Sequence, residues 1–202
     1  MERILVYIDG FNLYFGMLEA GFENSKWLNV YKLAQNLIKP NQQIVGVKYF
    51  TSRVNNNPVK QKRQGTYIEA LECHNVEVIY GHYQSNTITC NRCGHIWLSQ
   101  NEKMSDVNIA TQLIVDAFQD KYDTAMLISG DSDLVPPIRS VHFLFNEKRV
   151  FVAFPPCRHN QTVASVARGS MVIGRKKLIE SQLPPVILKK GGYQLHKPKE
   201  WN

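Results

Sequence analysis

An α/β fold with a mainly parallel central sheet is predicted by three observations. Strand-like and helix-like segments alternate along the chain, the order that lays covering helices over parallel strands. Two apolar runs, each long enough for one buried strand, end in acidic residues followed by a turn or helix start: Ile4 to Ile8 leads into Asp9, and Ala125 to Ile128 leads into Asp131 and Asp133. The 202 residues are 44% hydrophobic and 20% charged, a globular composition for one domain with an ordinary core.

Taken in order, Ile4 to Ile8 is the first strand, and a helix follows from Phe11 to Glu19, ending near Gly21. Asn29 caps a short helix through Leu37, stopped by Pro40. Ile44 to Phe50 is a strand. Asn57 caps, and Pro58 opens, a helix to about Leu71. Val76 to Tyr80 is the third strand. Residues 84–101 read as an irregular insertion around Cys90-Asn91-Arg92-Cys93-Gly94-His95. Val107, Ala110, Ile114, Ala117 and Phe118 recur at helical spacing and predict a helix over Ser105 to Phe118 with Ser105 as its cap. Ala125 to Ile128 is a strand, Asp133 to about Phe145 a helix despite Pro136-Pro137, and Arg149 to Phe154 a strand. Thr162 to Ala167 and Lys176 to Gln182 read as helices. Residues 1–183 form the domain, and 184–202 an extended basic tail.

Open α/β sheets place their sites outside the carboxyl ends of the strands. Two such ends deliver Asp9, Asp131 and Asp133 to one crevice. Clustered carboxylates repel one another and need a cation or protons. Mg²⁺ is bound by a few carboxylates with water and substrate phosphate, so the reading is an acidic metal site. Gly10 lets the chain turn after Asp9, and Asn12, one helical turn on, faces the same crevice. Simpler roles compete at each position. Asp9 caps the helix that follows it, and either Asp131 or Asp133 caps the next one. Asp106 sits in a first helical turn that favours a carboxylate anyway. Ser129 either touches phosphate or water, or closes a turn.

Asp9-Gly10-Phe11-Asn12, the Lys103 and Asp106 that open the mid-chain helix, and Ser129-Gly130-Asp131-Ser132-Asp133 together resemble the NYN domain, the branch of PIN-like nucleases that includes the LabA-like proteins. The resemblance runs from about Arg3 to about Ile179. It implies a Rossmann-like, PIN-type three-layer sandwich and ribonuclease activity dependent on Mg²⁺ or Mn²⁺. Residue by residue it carries over Asp9, Asn12, Asp106, Asp131 and Asp133, the four aspartates as metal ligands. The family commonly shows Lys-Gly-x-Asp-Val at the middle motif; here Lys103-Met104-Ser105-Asp106-Val107 keeps the carboxylate and replaces the glycine.

The net charge of +7 suits a polyanionic partner. From Ile44 to Ile68 the chain carries Lys48, Arg53, Lys60, Lys62 and Arg63 with no acidic residue. With Lys103 these are the candidate contacts to a phosphate backbone; the alternative is a solvated face. Tyr49, Phe50, Tyr67, Tyr83 and Trp97 lie near the basic cluster or the cysteine loop and would suit stacking of single-stranded RNA bases, with core packing the competing role for most of them. Cys90 and Cys93 have the spacing of half a zinc site, which needs four ligands; Cys73, His74, His82, His95 and Cys157 are the residues available to complete it. Plain reduced thiols and a site shared between subunits stay open, and so does a homo-oligomer. No Gly-x-x-x-x-Gly-Lys loop is present. A dehalogenase-type phosphatase fails because Phe11 stands two residues after Asp9. No apolar run reaches roughly 18 residues, so no membrane span is expected. Met1-Glu2-Arg3 enters a strand directly, so no signal peptide is expected and the location is taken as cytoplasmic. The expectation is a metal-dependent ribonuclease; the alternative is a non-catalytic RNA-binding or regulatory module on the same fold.

Overall fold

The computed structural model describes residues 1–54, 57–89, 91–189 and 191–201; for residues 82–86 and 97–103 it describes backbone alone. The order is β1 (Glu2–Asp9), α1 (Gly10–Glu19), α2 (Val30–Leu37), β2 (Gln42–Thr51), α3 (Pro58–Glu72), β3 (Glu77–Tyr80), β4 (His82–Thr89), β5 (Ile96–Lys103), α4 (Ser105–Phe118), β6 (Thr124–Ile128), α5 (Val135–Leu144), β7 (Arg149–Phe154), α6 (Gln161–Val166), β8 (Gly169–Val172), α7 (Arg175–Glu180), β9 (Val186–Leu188) and β10 (Gln194–His196). Six strands form one parallel sheet in the order β3-β2-β1-β6-β7-β8. Counting only these six, the order is 3-2-1-4-5-6, the doubly wound arrangement whose strand order reverses beside the first strand. That reversal lies between β1 and β6, which pair from Ile4↔Thr124 to Ile8↔Ile128.

The apolar run of β1 is continuous because both of its faces are covered. Ile4, Val6 and Ile8 pack with Leu13 and Met17 of α1, Leu33 of α2 and Leu71 of α3. Leu5 and Tyr7 pack with Ile109 and Leu113 of α4, Ile138 and Val141 of α5, and Val163 of α6. The result is a three-layer αβα sandwich. As expected, Asn29 and Asn57 cap α2 and α3 by accepting from the N–H groups of Lys32 and Lys60.

Four expectations are corrected. Residues 84–101 are not irregular: β4 and β5 pair as an antiparallel hairpin from His82↔Lys103 to Thr89↔Ile96. Thr87-Ile88-Thr89 and Ile96-Trp97-Leu98 are β-favouring triplets that flank the cysteine turn. In α4 the buried stripe is Ile109, Leu113, Asp116 and Ala117, while Val107 and Phe118 are exposed. Ala117 of the expected stripe is buried and Ile114 packs against the core, but the helix carries apolar residues on two faces and periodicity alone set the stripe partly to one side. Its cap is Met104, not Ser105, and Met104 has a left-handed backbone with φ 78°. Finally, the segment after Pro184 is not extended. The β9–β10 hairpin folds back, and Ile187, Leu195 and Trp201 are buried against Trp27 and Tyr67. Trp27 Nε1 donates to the Pro184 carbonyl at 2.8 Å, and Lys189 pairs with Glu69 of α3 at 2.7 Å. The buried side chains at every few positions outweigh the lysines between them.

Candidate functional site

The reversal point gathers three strand ends. The first supplies Asp9, which is buried at 6% exposure. One of its oxygens accepts from the backbone N–H of Asn12 at 2.9 Å, capping α1, and the other accepts from the Ser129 hydroxyl at 3.0 Å. The second end, after β6, supplies Ser129, Gly130 and Asp131. The Asn12 side-chain Oδ1 accepts from Gly130 N–H at 3.0 Å, so α1 and the β6 loop are tied across the crevice. The Asp131 N–H donates to Ser129 Oγ at 3.1 Å, and Asp131 Oδ1 accepts from Asp133 N–H at 2.9 Å. Asp131 therefore caps the short 3₁₀ turn Ser132–Leu134 that precedes α5.

Two glycines are required by crowding. A Cβ on Gly130 would lie 1.9 Å from the Arg158 carbonyl oxygen, and one on Gly10 would lie 2.7 Å from the Phe50 carbonyl and 2.5 Å from the Tyr49 ring. Gly10 thus permits close approach of β2 to α1, a different reason from the sharp turn expected of it.

Asp106 enters from the first turn of α4, half-buried. Its carboxyl is held above the ordinary aspartate range, first by burial and then by the negative charges of Asp131 and Asp133. The charges of Asp131 and Asp133 thus reach Asp106 across the crevice. Among the described residues, no three His, Cys, Asp or Glu side chains are disposed to hold a metal ion. Asp9 and Asp131 are turned instead toward backbone N–H groups and the Ser129 hydroxyl.

The third strand end was missed by sequence reasoning. After β7, the Arg158 carbonyl presses on Gly130, and Asn160 Nδ2 donates to the Gly130 carbonyl at 3.2 Å while its oxygen caps α6. The strand-end rule applied to Arg149–Phe154 would have pointed there; no carboxylate marked the place.

The expected basic residues divide. Lys60 and Lys62 are exposed on α3, and Arg63 is half-buried beside them. Arg53 is exposed, its guanidinium 4.8 Å from the Tyr80 ring centre. Lys48 is a correction: it is buried at 6%, and its ammonium bonds Gln112 at 2.7 Å and Asp116 at 2.5 Å. Asp116 is fully buried and also accepts from Tyr7 OH at 2.8 Å, while Lys121 forms an ion pair with its other oxygen at 3.0 Å. Burial raises the Asp116 carboxyl, but hydrogen bonds from Lys48, Tyr7 and Lys121 prevail and hold it below the usual range. Lys48 is committed to fastening α4 to β1 and β2 and does not reach a phosphate. Lys103 ends β5, with its side chain outside the described residues. Of the zinc pair, Cys90 lies outside them too, and Cys93 is exposed at the hairpin turn.

A family model described as NYN domain matches residues 3–168, most of the chain and every strand of the site. The chain belongs to the NYN domain family. It is also similar to 6-hydroxy-3-succinoylpyridine 3-monooxygenase HspA of Pseudomonas putida (strain DSM 28022 / S16), 25% identical over 244 residues that cover 98% of this chain and 75% of that protein. Among solved structures it resembles VPA0982, a protein of unknown function from Vibrio parahaemolyticus RIMD 2210633. The TM-score is 0.58 with 22% identity, covering 86% of this chain and 94% of that one. That likeness supports the NYN domain's α/β sandwich as a fold. No helix among the described residues is long and apolar enough to cross a membrane.

Proposed function

We propose that this NYN domain is a metal-dependent ribonuclease that hydrolyses phosphodiester bonds of single-stranded RNA. The observation that carries the reading is the tying of Asp9, Asn12, Ser129 and Asp131 together at the reversal point, with the charges of Asp131 and Asp133 reaching Asp106. The donors suit a hard divalent ion, since they are carboxylate oxygens. Asp106, Asp131 and Asp133 would hold Mg²⁺ or Mn²⁺, with Asp9 completing the set, once Asp9 and Asp131 turn from the N–H and hydroxyl groups they now bind. When bound, the ion supplies hydroxide at neutral pH and offsets charge developing on phosphate.

The chain's own residues prepare that site. Ser129 fixes the Asp9 carboxylate by donating to it. Asn12 commits its carbonyl to Gly130 N–H, leaving its NH₂ group as a donor for a phosphate oxygen or water. Lys60, Lys62 and Arg63 on α3, with Arg53 before it, would hold the strand by its phosphates. Asp9→Asn keeps a good helix cap and removes the charge. It should leave the fold intact and lower Mn²⁺-dependent cleavage of single-stranded RNA by roughly 100-fold or more, the scale of losing one group that stabilises developing charge. Wild-type rates in that variant would refute the assignment.

A second reading takes its support from the Pseudomonas relative, whose name assigns that protein oxygenation of a substituted pyridine. Consumption of such a pyridine by this chain, with no RNA cleavage in Mn²⁺, would favour it.

A further inference from the structure

Beside the acidic crevice, on the opposite face of the sheet from Asp116, lies a cavity of about 430 Å³ between α1 and α3. Gly10 belongs to its wall, so it begins one residue beyond Asp9. Two groups of aromatic rings line it. Phe11, Tyr14 and Phe15 come from α1, with the Phe11 and Phe15 rings stacked 6.2 Å apart. Tyr49, Tyr67 and Trp201 come from β2, α3 and the returning C-terminal segment, and Tyr67 meets both of the others edge-on. Three cations, Lys26, Lys60 and Arg63, join the lining, and among the described residues no acidic one does.

Each feature points to a ligand property. Aromatic walls with few polar atoms favour a flat ring, because ring faces stack and exclude water. Three cations without a counter-carboxylate favour an anionic group on that ring. The volume falls at the small end of the range typical of sites for small organic ligands, large enough for one nucleotide and too small for a helical stack. Gln64 keeps the mouth in shape: its Oε1 accepts from Val54 N–H at 2.8 Å and its Nε2 donates to the Ser52 carbonyl at 2.8 Å, holding the β2–α3 loop against the helix. Trp201 closes the back, its ring 6.1 Å from that of Trp27 and tilted 56° to it.

We propose that this cavity binds a planar heteroaromatic anion of mononucleotide size. One source is a single unstacked nucleotide of a strand; another is a free heteroaromatic acid. The binding needs no metal and does not depend on the nuclease reading.

The test is titration of the whole chain in EDTA with adenosine monophosphate, adenosine and nicotinate, followed by calorimetry and by tryptophan fluorescence, to which Trp201 in the wall should respond. Saturable binding of adenosine monophosphate, roughly tenfold weaker for uncharged adenosine, is expected. Arg63→Ala and Phe11→Leu should each weaken it by about the same factor, with melting curves showing both variants folded. Lys32→Ala, an exposed cation on α2 outside the cavity lining, should leave it unchanged. Saturable binding of nicotinate without the nucleotide, lost in Arg63→Ala, would support the site and assign it to free acids. Failure of all three probes to bind, or binding indifferent to both Arg63→Ala and Phe11→Leu, would overturn it. Because metal is absent throughout, loss of RNA cleavage elsewhere has no bearing on the result.

Discussion

Met104 is the residue at which sequence and backbone disagree most. It occupies the place where the related motif carries glycine, and it holds φ 78°, a conformation costing an L side chain roughly 1–2 kcal/mol. Met104→Gly should therefore stabilise the protein by about 1 kcal/mol after the extra freedom of glycine in the unfolded chain is counted. Met104→Ala keeps a Cβ and should give no such gain; equal stability of the three proteins in denaturant would dismiss the strain. Two residues on, Asp106 makes a pH-dependent prediction. Its folded carboxyl is raised by burial and by Asp131 and Asp133. It therefore favours folding at acid pH, and that contribution is lost as pH rises through the raised value. Asp106→Asn should raise the melting temperature of metal-free protein at neutral pH and change it little below about pH 3, where the aspartate is protonated in both states. Identical melting at neutral pH would show that the three charges do not meet. That Asp9 and Asp131 follow strand ends and cap what comes next was legible in the sequence. The Ser129–Asp9 and Asn12–Gly130 bonds were not, because they join residues 120 and 118 apart that no local pattern relates.

At the scale of elements, most strands and helices were legible because caps and apolar runs are local signals. The exceptions share a cause: their structure is decided by partners distant in sequence. α4 offered two apolar faces, and only the sheet chose between them. Lys48 sat in a run without acidic residues and looked like a surface cation. Its counter-charge, Asp116, comes from a helix 68 residues away. That pair makes α4 a test element. Asp116→Asn leaves the Lys48 ammonium buried without its charged partner and should cost about 3–5 kcal/mol. A denaturation midpoint unchanged by Asp116→Asn would remove the pair from the account of the fold. α3 makes the opposite prediction, about function alone. Replacing Lys60, Lys62 and Arg63 together by Ala should leave the melting curve nearly unchanged. It should flatten the salt dependence of single-stranded RNA binding by about 0.7 in log–log slope for each phosphate left without its cation. An unaltered slope would return these residues to the solvated surface.

For the whole molecule, composition and alternation announced the α/β class, and the strand order supplied what they lacked: the position of the reversal, and hence the crevice. The C-terminal segment was the largest misreading at this scale, since its buried side chains, Ile187, Leu195 and Trp201, are spread thinly among glycines and lysines. The reversal itself has a kinetic consequence. β1 pairs with β2 after about one loop and two helices, but its pairing with β6 spans Ile4 to Thr124. Pairings of such sequence separation carry the larger loop-closure entropy and tend to form late in folding. The basic helix α3 lies wholly within the early part of the chain, whereas the acidic crevice exists only once β6 has joined β1. A folding chain would thus pass through species that present the cations of α3 before the proposed hydrolytic centre has assembled.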